Sequence, residues 1–218
     1  MSDVTVDAFQ ALARSSPWRW RTLHFRHRDD GGEVEAWLRR PGRLLVRTDD
    51  GREHRVTEDG ARPVAPAPQP DAMVGPRPDL LRFEYDDPMW QNYSWVAMLD
   101  PVELSHHVEV ANLREDQVAG RTAWRADLRA LPGYDPRCGG NCCELLYSEA
   151  ALMADFNSPE EVPKAWRGRT YPDHYDVALD VQTGVVVRCR PVGGEEGAAW
   201  LEVDILEVDA DLDALFQD

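Results

Sequence analysis

The sequence contains no uninterrupted apolar stretch of about 18 residues, the length a membrane-crossing helix needs, and its mean hydropathy is −0.53. A transmembrane helix is therefore excluded. Positive charge is also short: 24 Lys+Arg stand against 40 Asp+Glu, a formal net charge of −16 over 218 residues. A surface of that sign repels phosphate backbones, so no nucleic acid is expected as a partner, whereas a basic partner would be steered in. The opening stretch, Met1 to Ser16, carries two Asp and neither a basic nor an apolar signal region, which makes a cytoplasmic location the expectation. Paired C-x2-C knuckles, a D-x-D-x-D-G calcium loop, a Ser-His-Asp constellation and a solenoid-period repeat are all missing. What is present is a 43% hydrophobic composition with eight Trp, enough for one domain to bury a core without disulfides.

Hydrophobic spacing divides the chain into an ordered series. Val6, Phe9 and Leu12 recur at helical intervals from Asp3 to Ser15, with Thr5 or Asp3 placed to cap them. Alternation begins after Pro17, with Trp18, Trp20, Thr22 and His24 on one side and Leu23, Phe25 and His27 on the other; the phase slip predicts a bulge or a strong twist. Asp29-Asp30-Gly31-Gly32, Pro41-Gly42 and Asp49-Asp50-Gly51 then punctuate three more short strands, making a meander. Between Ala61 and Pro78, six of eighteen residues are proline, which predicts an extended surface crossing rather than a ladder. Trp90, Tyr93 and Ala97 share a helical face, and Asp100-Pro101-Val102-Glu103 reads as the start of a short helix. Strands around Val108 and Thr122 to Leu128 follow. An insertion at 133–170 carries a Cys-rich turn and a helix near Glu144 to Phe156. The closing hairpin, Tyr175 to Cys189 about Gln182-Thr183-Gly184, is followed by a strand at Leu201, Val203 and Ile205. The final segment, Asp209 to Phe216, reads as a helix that offers Leu212, Leu215 and Phe216 for docking.

This order, the DPVELS helix start and above all the hairpin YDVALDVQTGVVVRC resemble the lipoprotein-carrier (LolA-type) superfamily across Asp3 to Phe216. The texture is similar to that of uncharacterised cytoplasmic actinobacterial members. The resemblance implies an α+β fold over residues 1–218: a single curved antiparallel half-barrel, an unclosed β-barrel, with helices on its concave face. It also implies an aromatic-rich concavity for an acyl chain, a lipid or a protein partner. One relative, the half-barrel enzyme of violacein assembly, places an indole intermediate there. The lack of a signal sequence sets the chain apart from the periplasmic carriers, so a pocket is expected and a transport pathway is not.

Candidate ligand-binding residues are Trp18, Trp20, Trp37, Phe83, Tyr85, Trp90, Tyr93 and Trp95, because Trp and Tyr combine large apolar area with an orienting polar atom. The same side chains also build ordinary cores, and both readings stand. The function expected is binding of a hydrophobic small molecule, acyl chain or partner segment, without a cofactor. Two alternatives are carried beside it. An enzyme on a hydrophobic or aromatic metabolite would draw acid–base groups from His24, His106, His107 or Glu84. A zinc or thiol sensor would use Cys138, Cys142, Cys143 and Cys189, with His174 as a further ligand. Cys189 alternates with Val185 and Val187, which equally suits a small buried hydrophobe.

Overall fold

The computed structural model describes residues 4–58, 87–138, 143–154, 156, 158, 160–195 and 197–217. The expected Pro-rich crossing at 61–78, together with Phe83, Glu84, Tyr85 and Cys142, lies outside them. Helix α1 spans Val6–Arg19 and is capped by Thr5, whose side chain accepts from the Ala8 amide. The helix runs about one turn further than the hydrophobic spacing suggests, since it continues through Pro17 to Arg19. Trp18 is thus helical, not the start of a strand. Three bonds hold this last turn: Ser16 Oγ donates to the Leu99 carbonyl, Arg19 Nε to Ser15 Oγ, and an Arg19 terminal nitrogen to the Val181 carbonyl.

Strands β1 (Thr22–Asp29), β2 (Gly32–Arg39), β3 (Arg43–Thr48) and β4 (Glu53–Thr57) form the first meander. Helix α2 (Tyr93–Leu99) and a 3-10 turn at Val102–Ser105 separate it from β5 (Val108–Val118) and β6 (Arg121–Ala130). Helix α3 (Glu149–Ala154) is shorter than the helix expected there, and precedes β7 (His174–Asp180), β8 (Val186–Val192) and β9 (Leu201–Val208). All nine strands belong to one sheet in the order β4-β3-β2-β1-β9-β8-β7-β6-β5, every pair antiparallel. The first and last strands therefore pair at the centre, and β4 and β5 form two open edges. This is the unclosed half-barrel. Register shifts between β1 and β9, β5 and β6, and β7 and β8 supply the bulges that increase local twist.

Alternation sorts the two faces. Leu23 and Phe25 of β1, Ala36 and Leu38 of β2, Tyr175, Val177 and Leu179 of β7, and Val203 and Ile205 of β9 join Phe9 and Leu12 of α1 in the main core. On the opposite face Trp37 and Leu45 meet Leu212, with Leu215 and Phe216 packed around them, so the C-terminal segment docks there as a 3-10 turn at Asp213–Phe216. The rest of that face carries charges in a transverse row. Asp116, Arg125, Asp176, Arg188 and Glu202 follow one another from β5 to β9, each neighbouring pair 2.6–2.8 Å apart.

The expected capping box at Asp100–Glu103 is absent. The 3-10 turn begins after Pro101 without a side-chain cap, because both carboxylates are used by the insertion. Asp100 pairs with Arg137 at 2.7 Å, and Glu103 accepts from Tyr134 Oη and the amides of Arg137 and Leu145.

The β7–β8 hairpin rests directly on α1. Gly184 has φ +72°, and a Cβ there would lie 2.9 Å from the Leu12 carbonyl oxygen. Gly51 also has positive φ, +82°, but nothing lies within 4 Å of its missing Cβ. Gly51→Ala should cost only the left-handed backbone penalty, about 1–2 kcal/mol, and Gly184→Ala clearly more, measured side by side by urea unfolding. Equal losses would mean that the hairpin does not press on the helix.

Candidate functional site

A cleft of about 590 Å³, counting its solvent-open part, lies at the rim of the helix-covered face. The space within it that a water-sized sphere can enter is about 140 Å³, smaller than a drug-sized pocket. The end of β1 and its hairpin contribute His27, Asp29, Asp30 and Gly31, and the start of α2 contributes Asn92 and Ser94. The insertion supplies Glu144 and Leu145, β8 supplies Cys189, and the approach to β9 supplies Ala199 and Trp200, with Leu201 as its first residue.

Local structure explains why these groups converge. His27 shares the inward phase of β1 with Leu23 and Phe25, and its ring meets Trp95 edge-on at 5.2 Å. Asp30 accepts from Trp200 Nε1, tying the β1–β2 turn to β9, while Asp29 accepts from the Gly31 amide. Glu144 is carried in by the Glu103 network, because the Leu145 amide beside it bonds to Glu103 at 2.9 Å. Arg137 and Asp100, both almost wholly buried, clamp the other end of that segment. Removing one partner of such a buried pair typically costs about 3–5 kcal/mol, because the other charge is left uncompensated.

The electrostatics are unusual for an open rim. Glu144 is only 5% exposed, and its Oε1 has no hydrogen-bond partner among the described residues. Burial, helped by the nearby Cys138 and Glu103, pushes its carboxyl up to about 7. Burial likewise lowers the His27 imidazole, against the pull of Asp29. The Cys189 thiol is pushed upward by burial and sits 3.3 Å from the Leu145 carbonyl oxygen, to which it donates. It is therefore a poor thiolate nucleophile.

The sequence-predicted aromatics are spread over the fold. Trp20 is buried at the end of α1, bonded through Nε1 to Ser16 Oγ and covered by the Arg40 guanidinium at 3.3 Å. Trp18 is half-buried on α1. Trp37 lies on the opposite face of the sheet, stacked on His24 at 4.7 Å. Trp90 meets His54, Tyr93 is exposed, and Trp95 is buried against Phe25 and His27. Of these, Trp95 packs against His27, which lines the cleft. The aromatic side chain that lines the cleft is Trp200, which follows a run of Gly and Glu that gave no periodic signal. Glu144 was legible only as the start of a helix.

The acid–base candidates also part company. His24 sits on the outer face between Glu35 at 2.9 Å and Glu207 at 3.2 Å. His106 contacts Ser105 Oγ at 2.6 Å, and His107 takes φ 51° beside Gly133, both just before β5. Cys138 and Cys143 are half-buried in the insertion, Cys189 is buried on β8, and His174 lies 3.9 Å from Asp127. Among the described residues no group of three or more His, Cys, Asp or Glu is arranged to hold a metal ion, and no helix is long and apolar enough to cross a membrane.

Fold and cleft together define a class: an open antiparallel half-barrel, helices on one face, with a small cleft at its rim. Three solved structures share parts of this outline. A chain from the complex of Pseudomonas aeruginosa MucA and MucB overlaps at TM-score 0.46 and 15% identity, over 98% of this chain and 60% of that one. MucB in complex with MucA(peri) gives 0.43 and 14%, over 97% and 59%. MucB alone gives 0.39 and 17%, over 97% and 62%. The chain thus spans about 60% of the length of these solved chains. No protein-family model matches the chain, and no curated protein does either.

The raised Glu144 carboxyl has a direct consequence for stability. Its neutral form is favoured by folding, so that contribution is complete below the ordinary value of 4.5 and is lost as pH rises through about 7. The loss should approach about 3 kcal/mol. Urea unfolding of Glu144→Gln should show higher stability than the parent at pH 8 and parity at pH 4.5. A parallel pH dependence in the two proteins would mean that Glu144 ionises as in water.

Proposed function

We propose that this protein is a binding protein of the LolA-like half-barrel type, whose rim cleft receives the apolar body of a small molecule, an acyl chain or a partner segment. The observation that carries the reading is the cleft itself, in which Leu145, Ala199, Trp200 and Leu201 line one opening together with a buried, unpartnered carboxyl oxygen of Glu144. Apolar side chains beside converging polar groups are what small-molecule sites share, and here the polar residues His27, Asp29, Asp30, Gln91, Asn92 and Ser94 share the lining. The one thiol in the cleft is held in its unreactive form, so nucleophilic thiol chemistry is no part of the reading. The acidic surface adds steering for a basic or hydrogen-bond-donating occupant.

Native mass spectrometry of the purified protein tests this. An adduct that disappears on denaturation is expected, and the extracted compound, added back, should shift the Trp200 indole N–H resonance. Ala199→Trp, which fills the mouth, should abolish both effects. A clean apo mass, with no indole shift on titration with organic extract of the expression host, would overturn the reading.

A further inference from the structure

Resting on the binding reading, we propose that the cleft selects a small organic cation: a primary amine on an apolar body, with its ammonium group against Glu144 Oε1 and its hydrocarbon along Leu145 and Leu201. Three observations carry this. Among the described residues, the ionisable groups lining the cleft are His27, Asp29, Asp30, Glu144 and Cys189, with no Lys or Arg among them. Glu144 is 5% exposed and its Oε1 lacks a donor, so the cleft offers a buried acceptor that nothing in the described fold satisfies. Asp30 accepts from Trp200 Nε1 and Asp29 from the Gly31 amide, and both are more exposed than Glu144, so Glu144 Oε1 is the buried acceptor for an incoming donor.

Chemistry separates the ligand classes. A carboxylate or phosphate would enter a site with three carboxyl groups and no cation, and would be repelled. A hydrocarbon would fill the apolar wall but leave the buried Glu144 oxygen without a partner, forfeiting its desolvation. An ammonium satisfies that oxygen with a charge-assisted bond, stronger than a neutral one. Arg190 covers Trp200 at 3.6 Å and is held by Glu202 at 3.1 Å.

The groups around Glu144 set how binding couples to protons. Glu103 faces it from the 3-10 turn, Cys138 from the insertion, and Tyr175 and Tyr171 from β7 and the segment before it; His27, Asp29 and Asp30 share the cleft from β1. None of these is a resident positive charge at neutral pH. An entering ammonium therefore ionises Glu144 and expels its proton into solvent.

Calorimetry with n-hexylamine, n-hexanol and hexanoate tests the inference. Hexylamine should bind at least tenfold more tightly than hexanol, hexanoate should not bind, and hexylamine binding at pH 6 should release a proton, read from the dependence on buffer ionisation enthalpy. Glu144→Gln should weaken hexylamine tenfold or more and abolish proton release while leaving hexanol unchanged; its folding is checked by circular dichroism. Equal binding of hexylamine and hexanol, or tight binding of hexanoate, would overturn cation selection and leave the binding cleft standing. Binding of none of the three would overturn it too: a copurifying ligand without an amine would leave the binding reading standing, and a clean apo mass would remove that reading as well. Nα-acetyl-lysine methylamide separates the sources: binding equal to hexylamine assigns the amine to a partner's lysine, and failure to bind assigns it to a free metabolite.

Discussion

The pairing of the first strand with the last is the contact on which the architecture depends. Leu23 to Arg28 of β1 run against Glu202 to Val208 of β9, and this seam alone joins the N-terminal meander to the C-terminal one within the sheet. It is a non-local pairing, so its loop-closure entropy is met late and must be offset by the core that forms across it. Phe25, Leu23, Val203 and Ile205 supply that core on the helix side. On the other side the charged row continues over the seam, with Arg28 3.7 Å from Glu202 and 3.4 Å from Asp204. Alternating charges on adjacent strands favour this register and penalise a one-residue slip, which would bring the apolar set to the wrong face.

Within that row, burial opposes the charge on Asp176, but the hydrogen bonds from Arg125 and Arg188 outweigh it and hold the carboxyl below its ordinary value. Glu144 presents the opposite arrangement, a buried carboxyl with an oxygen left without a donor, and its proton is retained to higher pH. The same residue type thus does structural service on one face of the sheet and offers a binding group at the rim. The difference lies in which neighbours the fold provides, two guanidiniums in one case and Cys138 with Glu103 in the other.

The rim cleft depends on an anchored insertion. Asp100 and Glu103, which the local pattern presents as a helix-capping pair, reach instead to Arg137, Tyr134 and the Leu145 amide. Propensity yields here to tertiary demand, because buried amides of an irregular segment need acceptors and these two carboxylates are within reach. Fixing Leu145 fixes Glu144 beside it, so the acceptor in the cleft is held by the backbone and does not swing from a loose loop.

Alternation and turn chemistry made most strands legible: the β1–β4 meander with its Gly turns, the β7–β8 hairpin, and β9 are periodic segments in which each side chain's face follows from a two-residue repeat. The docking of Leu212, Leu215 and Phe216 was legible for the same reason, as apolar residues left over in an acidic tail. Pro17 misled, because bonds from Ser16 and Arg19 to distant carbonyls extend α1 past a residue that usually ends helices. Trp37 shows the limit more sharply: its outward phase on β2 was written in the alternation with Ala36 and Leu38, but only the folded tail decided that the outward face was buried there. The sequence by itself determined the antiparallel class, the two faces and the net negative field, all of which are properties of local period and composition. The tertiary structure decided that β1 meets β9, that Trp200 and Glu144 share a cleft while the other tryptophans scatter, and that Glu144 is left with a bare oxygen, because each of these depends on residues brought together from distant parts of the chain.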